Sequence, residues 1–407
     1  MALTIIADDL TGACDTGSLF AGCGRVAVLI DDGERPLGPE ADSAQGSGLD
    51  SAVLAVDTES RSLPPAEAAG RLRQIASALE SRLVSGRIFK KIDSTFRGPI
   101  AAELDVLLSA TALRAALVCP SLPAQQRTVL HGILHVQGTP AHDTAAGRDP
   151  DYPAATSDLV EILSGHGTRR VSHVPLKEVR GSHHDLLLAV DRAPGEIIVA
   201  DAETPADLQA MARAAIASPS LLLAGSAGLA GALSAELGYS GSPAALPPPG
   251  AWLIVAGSLH PATRAQVQAL AEAGVTAAWL EEPATDAAAR LAAALAGGRP
   301  AFLATDGSIS APTAAARATT AGRLARMVAS ILQRLQPDLV AITGGDTACA
   351  LARELRAERL ELLGAPSIGL ALAEVVVNGM SRLRVLTKAG GFGAPDLFVT
   401  LLGGRTP

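Results

Sequence analysis

The sequence predicts an α/β fold of two domains, each a mostly parallel sheet flanked by helices, with the active site in the cleft between the domains. Three observations support this prediction. The chain has 407 residues, more than one domain usually contains. Short β-branched runs alternate with Ala/Leu/Arg stretches of helical period. The Pro-rich stretch Gly241–Gly250 interrupts this alternation and has the composition of a linker, so the expected domains are residues 1–240 and 251–407.

Five buried strands are predicted before the linker, because each is a short apolar run followed by polar or turn residues. They are Leu3–Ala7, Arg25–Ile30, Ser51–Asp57, Arg87–Ile92 and Ala115–Pro120. Pro65–Leu83 is predicted to be a helix, since a proline lies near its start and its apolar residues recur three to four apart. Gly147–His184 is expected to be irregular.

After the linker, four apolar runs are predicted to be strands that lead into glycine-rich turns: Ala251–Ser258, Pro300–Thr305, Leu339–Gly345 and Arg384–Gly391. In an open parallel sheet, ligands bind beyond the carboxyl ends of the strands. The polar residues that follow each predicted strand are therefore the candidates for function.

Composition and charge argue against several classes of function. A net charge of −8 and 2% aromatic residues offer neither the basic patch nor the stacking surface of a nucleic-acid binder. The four cysteines form no C-x-x-C pair, so we expect neither a zinc site nor a disulfide framework. The N-terminus lacks a basic segment, and no apolar run approaches the ~20 residues of a membrane span. We expect a cytoplasmic protein with no nucleic-acid or membrane partner.

One pair of histidines, His131 and His135, has the spacing of a metal site on a helix. The surrounding residues instead predict a strand or a hairpin. Residues four apart on a straight strand are separated by about 13 Å, which is too far for one metal ion. We therefore predict no metal site on protein residues alone.

Acidic residues follow the first predicted strand, in "ADDLTG". Two carboxylates after a buried strand need partners, because an unpaired buried charge is costly. Asp9, or Thr11 after it, is a candidate N-cap of the helix that follows. The functional alternatives for Asp8 and Asp9 are hydroxyl binding, proton abstraction and metal coordination. Arg61, in "DTESRS" after the third strand, has the fork that matches a carboxylate, although a single arginine can equally be a surface residue.

The stretch "KKIDSTFRG" holds two of the four lysines in the whole chain, Lys90 and Lys91. It also supplies a carboxylate, two hydroxyl groups, a guanidinium and a glycine, as a site for a polyol carboxylate or a phosphate would need. On a strand, Lys91 and Asp93 share one face and Lys90 points to the other. We therefore expect Lys91 to face the site. The alternative is a solvated strand end with incidental charges.

Two strand-to-glycine turns lie in the second part of the chain, "ITGGDT" and "TKAGGFG". Glycines allow backbone N–H groups to approach an anion, and a following helix N-terminus favours negative charge. Neither a P-loop nor a convincing G-x-G-x-x-G pattern is present. Tight helix packing explains many single glycine turns. A third turn, "GSAGLAG", and the presence of Lys388 favour anion binding.

These motifs, in this order, resemble the four-carbon acid sugar kinase family over almost the whole chain. The resemblance implies that residues 1–240 bind a small-molecule sugar acid and that residues 251–407 bind a nucleotide. It implies transfer of the γ-phosphoryl group of ATP, with Mg²⁺, to the terminal hydroxyl of the acid. Asp9 is the first candidate for the catalytic base and Asp346 the second, with Mg²⁺ binding as the alternative role of Asp346.

The residues implied on the substrate side are Asp8, Asp9, Arg61, Lys91, Ile92, Asp93, Ser94 and Arg97. Those implied on the nucleotide side are Ser258, Gly344, Gly345, Asp346, Thr347, Lys388, Gly390, Gly391, Phe392 and Gly393. Members of the family often have Asn after the Arg-Gly pair of the lysine motif. Here Pro99 supplies no donor at that position.

"DTG", "DTESR" and "KKIDST" are similar to the threonate/erythronate branch of this family. The alternatives are a 3-oxo-tetronate kinase, a dehydrogenase or isomerase on a similar scaffold, and a sugar-acid sensor. A dehydrogenase or isomerase needs a dinucleotide fingerprint or a metal cluster, and a sensor would leave the glycine turns without a role. A homodimer is the candidate assembly.

Overall fold

The fold is that of a computed structural model, which describes residues 2–30, 37, 52–149, 152–192, 196–239, 244–306, 313–377 and 382–404. The chain forms two compact units. The first consists of Met1–Val26 and Ile30–Ser240, and the second of Ala27–Leu29 and Gly241–Pro407. The short segment Ala27–Leu29, at the centre of strand β2 (Val26–Ile30), groups with the second unit, which the sequence did not indicate. Residues 241–243 of the expected linker lie outside the described residues.

The first unit contains seven parallel strands that are hydrogen-bonded side by side in the order β3-β1-β4-β11-β5-β10-β9. Its strands are β1 (Leu3–Ala7), β3 (Val53–Asp57), β4 (Arg87–Lys91), β5 (Ala115–Cys119), β9 (Val171–Val174), β10 (Ile197–Ala200) and β11 (Leu221–Gly225). Its helices are α1 (Leu10–Ser18), α2 (Pro65–Ala78), α3 (Glu80–Ser85), α4 (Ile100–Ala110), α5 (Leu159–His166), α6 (Leu176–Val179), α7 (His183–Arg192), α8 (Pro205–Ala217) and α9 (Ala227–Glu236). The central strands are buried throughout, as expected of a parallel sheet covered on both faces.

A small antiparallel sheet also belongs to the first unit. It is formed by β6 (Arg127–Leu130), β7 (Ile133–Val136) and β8 (Thr139–Pro140). His131 and Gly132 form the turn between β6 and β7, so the predicted hairpin is present. In the part of the chain that the structure describes, no group of three His, Cys, Asp or Glu side chains could hold a metal ion.

In the second unit, five parallel strands are followed by two antiparallel ones, in the order β13-β14-β12-β15-β18-β17-β16. The strands are β12 (Trp252–Ala256), β13 (Thr276–Trp279), β14 (Ala301–Ala304), β15 (Leu339–Thr343), β16 (Arg359–Gly364), β17 (Leu370–Val376) and β18 (Leu383–Lys388). The helices are α10 (Pro261–Glu272), α11 (Ala284–Ala296), α12 (Ala314–Leu332), α13 (Gly345–Glu354) and α14 (Leu397–Leu402). Trp252, Phe302, Leu386 and Phe398 are the large side chains of its core. The predicted α/β architecture of two mostly parallel units is confirmed.

Two sequence predictions about elements were wrong. The single helix predicted over Pro65–Leu83 is divided into α2 and α3, because Leu79 leaves helical geometry at φ −117° and ψ 23°. The segment Gly147–His184, expected to be irregular, contains α5, β9 and α6. These elements are short and β9 is a partly exposed edge strand, so their hydrophobic period was too brief to detect.

No helix among the described residues has the length and the apolar character that a membrane crossing demands.

Candidate functional site

The ends of three neighbouring strands in the first unit bring charged side chains to one edge of the sheet. Ala7 of β1 is paired with Asp57 of β3 on one side and with Lys91 of β4 on the other. Side chains at the same register of a parallel sheet point to the same face. Asp57 and Lys91 therefore share a face, with only the methyl group of Ala7 between them. Helix α1 begins beyond β1 and packs against these strands.

Arg61 joins the two acids that follow β1. Its Nε and one terminal nitrogen donate to the Asp8 carboxylate at 2.8 and 2.7 Å. Its two terminal nitrogens donate to Asp9 at 2.9 and 2.8 Å. Gly98, whose φ of +104° suits glycine, allows this close packing, since a Cβ there would lie 3.3 Å from Asp8 Oδ2. The fork of Arg61 thus binds two carboxylates of the protein, where the sequence pointed to a carboxylate of the substrate.

Asp9 is the N-cap of α1, which is one of the roles that its position suggested. Its Oδ1 accepts from the Gly12 N–H at 2.9 Å, and its Oδ2 accepts from Thr11 Oγ1 at 2.6 Å. With the two bonds from Arg61, each oxygen of this carboxylate accepts two hydrogen bonds. A substrate hydroxyl that gives its proton to Asp9 would have to replace one of these donors.

Burial and charge move the pKa values of the other two acids in opposite directions. Burial by itself would raise the pKa of Asp8, but the charge and hydrogen bonds of Arg61, with smaller effects of Lys90 and Lys91, hold it below its usual value. Asp57 is also fully buried, and burial together with the charge of Glu59 raises its pKa well above the usual range. Its Oδ2 has no hydrogen-bond partner among the described residues. Asp57 is therefore the acid of this cluster that keeps its proton to a higher pH than an ordinary aspartic acid does.

The two adjacent lysines have different surroundings, as their strand position predicted. Lys91 Nζ donates to the Ile92 carbonyl at 3.0 Å and lies close to α1, since a Cβ at Gly12 would be 3.2 Å from it. Lys90 is fully buried, and its Nζ lies 3.0 Å from Glu103 Oε2. Burial raises the pKa of Glu103, although the Lys90 charge opposes this rise.

The remaining predicted substrate residues form a second polar cluster after β4. Asp93 accepts hydrogen bonds from Arg97 at 2.9 and 3.0 Å, and Arg97 also donates to Asp149. Burial would raise the pKa of Asp93, but Arg97 and then Arg61 hold it well below the usual range. Ser94 Oγ accepts from Arg127.

Ile92 differs from the other residues of its motif. Its side chain is buried in the core, and its backbone N–H donates to the Gly225 carbonyl. Ile92 can therefore contribute to a site only through its backbone.

In the second unit, three neighbouring strands again end at one register. Ala256 of β12, Thr343 of β15 and Lys388 of β18 lie side by side, so the turns that follow them meet. A Cβ at Gly390 would lie 2.1 Å from Ser258 Oγ, and one at Gly344 would lie 3.3 Å from Ser258 Cβ. The structure therefore brings Ser258 and both predicted glycine turns together.

Helix α13 begins at this cluster, with Gly345, Asp346 and Thr347 in its first turn. A Cβ at Gly257 would lie 1.9 Å from Thr347 Oγ1, so this hydroxyl also faces the cluster. The Asp346 side chain is 64% exposed, and Arg317 Nε lies 3.6 Å from its Oδ2. A helix N-terminus of this kind favours anions, and an accessible carboxylate beside it can hold a phosphate-bound cation.

Lys388 was expected to bind a phosphate, but its partners in the structure are backbone carbonyls. Its Nζ donates to the carbonyl oxygens of Ala389, Gly390 and Phe392, and burial lowers its pKa to about 7. The amide nitrogen of Gln266 in α10 lies within hydrogen-bond distance of three carbonyls of the same turn. Phe392 and Gly393 also line an apolar cavity of about 320 Å³ with Ile368, Leu370 and Leu397.

Several residues of these clusters were not predicted from the sequence. Asp57 lay within a quoted motif, and its place at the end of a buried strand was the signal that could have identified it. Arg127 begins β6, where no strand-end signal marked it. Asp149 lay in the segment expected to be irregular. Gln266 lies inside a helix, where its sequence gives no indication of its contacts.

Two family models match the chain. One, described as a sugar-binding N-terminal domain, matches residues 3–233. The other, described as a nucleotide-binding C-terminal domain, matches residues 253–398.

Relatives with assigned activities match over nearly the full chain. A D-threonate kinase of Salmonella typhimurium is 32% identical over 97% of this chain and 96% of its own length. A D-threonate kinase of Bordetella bronchiseptica is 33% identical over 97% of this chain and 95% of its own length. A 3-oxo-tetronate kinase of Burkholderia multivorans is 28% identical over the same shares of both chains, 97% and 95%.

Solved structures show the same fold. A Haemophilus influenzae protein superposes with a TM-score of 0.71 at 20% identity, covering 99% of this chain and all of the other. A Bordetella bronchiseptica protein of unknown function, solved with bound citrate as a domain-swapped dimer, is 30% identical with a TM-score of 0.50, covering 100% of this chain and 99% of the other.

Proposed function

Because the chain belongs to the four-carbon acid sugar kinase family, we propose that it transfers the γ-phosphoryl group of ATP to the terminal (4-) hydroxyl of a four-carbon sugar acid. The proposed substrates are of the threonate/erythronate class. D-threonate comes first, because the two relatives of that name are more similar to this chain than the 3-oxo-tetronate kinase is. The enzyme is a phosphotransferase with an alcohol group as acceptor.

The observation that carries the proposal is the charged cluster at the ends of β1, β3 and β4. A sugar acid presents one carboxylate and several hydroxyl groups. Lys91 supplies a nearly buried ammonium group for an anion, and the partly exposed Asp9 carboxylate can accept from a substrate hydroxyl that replaces one of its present donors. Arg61 holds Asp8 and Asp9 in one arrangement, which fixes the acceptor oxygens before the substrate arrives.

The nucleotide would bind at the meeting point of the turns in the second unit. Ser258, the turn Gly344–Thr347 and the turn Gly390–Gly393 supply backbone N–H groups, a hydroxyl and the N-terminus of α13. These are neutral donors, which suits a polyphosphate that arrives with its own cation.

Mg²⁺ fits the residues of this unit as a nucleotide-bound ion. It usually keeps several waters and binds through one or two carboxylates in addition to phosphate oxygens. Asp346, exposed in the first turn of α13, is the carboxylate that would hold it. The ion would neutralise charge on the phosphate oxygens during transfer.

The acceptor hydroxyl must lose its proton, and we propose Asp9 as the group that takes it. Asp9 is partly exposed and placed by its cap and by Arg61, although both of its oxygens already accept two hydrogen bonds. Asp346 is the second candidate, because its carboxylate is accessible and does not cap a helix, as that of Asp9 does.

A coupled assay of ADP release tests the proposal. ATP with Mg²⁺ is supplied with D-threonate, D-erythronate or 3-oxo-tetronate in turn, and NAD reduction is followed in parallel. We expect ADP release with D-threonate or D-erythronate and no NAD reduction. ADP release with 3-oxo-tetronate alone would instead assign the chain to the 3-oxo-tetronate kinases. Reduction of NAD without ADP release would replace the kinase by a dehydrogenase, and binding of an acid without either reaction would favour a sensor.

We also propose that the enzyme is a homodimer. The Bordetella bronchiseptica structure, at 30% identity, is a dimer with swapped domains. Light scattering on the purified protein distinguishes a dimer from a monomer of 41.1 kDa.

A further inference from the structure

We propose that Lys388 and Gln266 act together as positioning residues. They bind the carbonyl oxygens of the turn Ala389–Ala394, which leaves the N–H groups of this turn free to bind the phosphates of the nucleotide. The inference rests on the proposed function, because it assigns this turn to the nucleotide, and it gives Lys388 a different role from a direct phosphate ligand.

All three N–H donors of the Lys388 ammonium group are taken up by carbonyls of the turn. Its side chain is 1% exposed at the end of β18. Its Nζ donates to the carbonyls of Ala389, Gly390 and Phe392 at 3.0, 3.1 and 2.9 Å. An ammonium group has three donors and no acceptor. A phosphate bound directly by Lys388 would therefore have to displace a backbone carbonyl.

Gln266 binds the same turn from α10. Its side chain is fully buried, and its Nε2 lies 2.9, 3.2 and 3.0 Å from the carbonyls of Phe392, Gly393 and Ala394. Its Oε1 is buried and has no partner within the described residues. An unpaired buried oxygen costs free energy. The hydrogen bonds of the amide nitrogen to the turn must offset this cost, and they explain why a glutamine occupies this position. Thr263, one turn earlier, donates to the Gly390 carbonyl at 2.9 Å.

The orientation of the N–H groups follows from the capture of the carbonyls. In a planar trans peptide, the C=O of one residue and the N–H of the next point in opposite directions. The carbonyls that Lys388 binds are those immediately before the N–H groups of Gly390, Gly391 and Gly393. These three N–H groups have no acceptor in the described parts of the chain. They therefore point away from the lysine, as the donors of an anion-binding nest do.

The free side of the turn faces the other predicted nucleotide residues. A Cβ at Gly390 would lie 2.1 Å from Ser258 Oγ, and one at Gly391 would lie 3.2 Å from His260 Nε2. The N–H groups without an acceptor thus lie beside the Ser258 hydroxyl and the His260 imidazole. Lys388 and Gln266 bind the carbonyls on the opposite side of the turn.

The two positioning residues are coupled through one atom. The Phe392 carbonyl accepts both from Lys388 Nζ and from Gln266 Nε2, each at 2.9 Å. Removal of either donor loosens the same peptide group. Side chains that share a partner show non-additive effects when both are replaced, and this gives the inference a signature that a direct ligand lacks.

The experiment measures dissociation constants of ATP and of adenosine by calorimetry, with competition for the weaker ligand. The variants are Lys388→Met, Gln266→Met, the double variant and the milder Thr263→Val, each checked for a cooperative thermal transition. Gln268→Met is the matched control, because Gln268 lies on the exposed face of the same helix and its amide donates a hydrogen bond to Glu272 rather than to the turn. Hydrogen exchange of residues 389–394 is measured for each protein.

We expect each of the Lys388 and Gln266 variants to raise the ATP dissociation constant about ten- to hundredfold, the scale of one or two charge-assisted hydrogen bonds. The adenosine dissociation constant of each variant should stay within about twofold of the wild-type value, the scale of a lost contact outside the site. Hydrogen exchange of the turn should become faster. The ATP dissociation constant of the double variant should exceed that of the weaker-binding single variant by no more than about threefold. Gln268→Met should bind ATP as the wild type does. Thr263→Val should show a smaller loss in the same direction, which keeps the test open if Lys388→Met does not fold.

Loss of ATP affinity in Lys388→Met with normal affinity in Gln266→Met would overturn the inference in favour of a direct lysine–phosphate contact. Fully additive losses, or equal losses for ATP and adenosine, would overturn it as well. Wild-type ATP binding together with normal binding by both variants refutes this inference and leaves the proposed function intact. Absence of ATP binding by the wild type refutes both.

Discussion

Lys90 and Lys91 are adjacent in the sequence but serve opposite faces of β4. Lys90 Nζ lies 3.0 Å from the buried Glu103 carboxylate, whereas Lys91 Nζ lies beside α1, next to Asp9 and Gly12. One strand therefore supplies a cation to the core and, one residue later, a cation to the proposed substrate site.

This division predicts different defects for the two lysines. Lys90→Met leaves the buried Glu103 without its cationic partner, so we expect the free energy of unfolding to fall by about 3–5 kcal/mol. Lys90→Met combined with Glu103→Met should recover part of that loss. Lys91→Met should instead raise the sugar-acid dissociation constant ten- to hundredfold, the scale of a charge-assisted hydrogen bond. Chemical denaturation and calorimetric titration measure the two effects, and a stability loss confined to Lys91→Met would contradict the assignment.

Arg61 should not tolerate lysine. Arg61→Lys keeps the charge but loses the fork that makes four hydrogen bonds to Asp8 and Asp9. We expect the KM for the sugar acid to rise at least about tenfold, with a change of less than about twofold in the KM for ATP. Arg213→Lys, at an exposed ion pair with Glu236, is the control for the substitution itself. An equal rise in both KM values would show that Arg61 does not act on the sugar-acid side alone.

Asp57 should make stability depend on pH. Burial raises its pKa above that of the unfolded chain, so its stabilising contribution is complete below the unfolded value of 3.8 and is lost as the pH rises through the folded value. Asn cannot ionise. The Tm of Asp57→Asn relative to wild type should therefore increase with pH above about 4. A Tm difference that stays constant from acid to neutral pH would show that the fold does not raise the pKa of Asp57.

Asp9→Asn tests the catalytic base. We expect kcat to fall by ~10²-fold or more, the usual scale for loss of a general base, with ATP binding unchanged. Near-normal turnover would exclude Asp9 and direct attention to Asp346→Asn. If neither variant loses turnover, proton removal does not depend on a carboxylate of these two clusters.

Gly390→Ala tests the meeting point of the nucleotide turns. The added Cβ would lie 2.1 Å from Ser258 Oγ, so the hydroxyl or the turn must move. We expect weaker ATP binding by about tenfold or more, on the scale of one lost hydrogen bond to a charged group, with sugar-acid binding retained. Gly70→Ala is the control, because nothing lies within 4 Å of a Cβ there. Normal ATP affinity in Gly390→Ala would place the nucleotide elsewhere.

The sequence predicted those features that depend on a local pattern. Buried parallel strands are continuous apolar runs, and Leu3–Ala7 was predicted with its observed bounds. The motifs at the strand ends identified the family, which the family models and the relatives confirm. The observed α5 and β9 were missed, because elements of eight and four residues carry too short a period.

Pairing among the site residues could not be predicted, because it depends on contacts between distant segments. Nothing local indicates that Arg61 binds Asp8 and Asp9, more than fifty residues away, in preference to a ligand. Lys388 in a glycine turn was expected to reach a phosphate, and only the folded turn shows its bonds to the backbone. Motifs thus identify which residues form a site, while their partners come from the tertiary fold.

The most direct test of the central claim is phosphorus NMR of the product formed from ATP, Mg²⁺ and D-threonate. The account predicts a phosphomonoester whose phosphorus couples to the two protons of the terminal carbon, so that the 4-hydroxyl is the acceptor. Only inorganic phosphate in the spectrum, or a phosphate on another carbon, would contradict a kinase acting on the terminal hydroxyl of a four-carbon sugar acid.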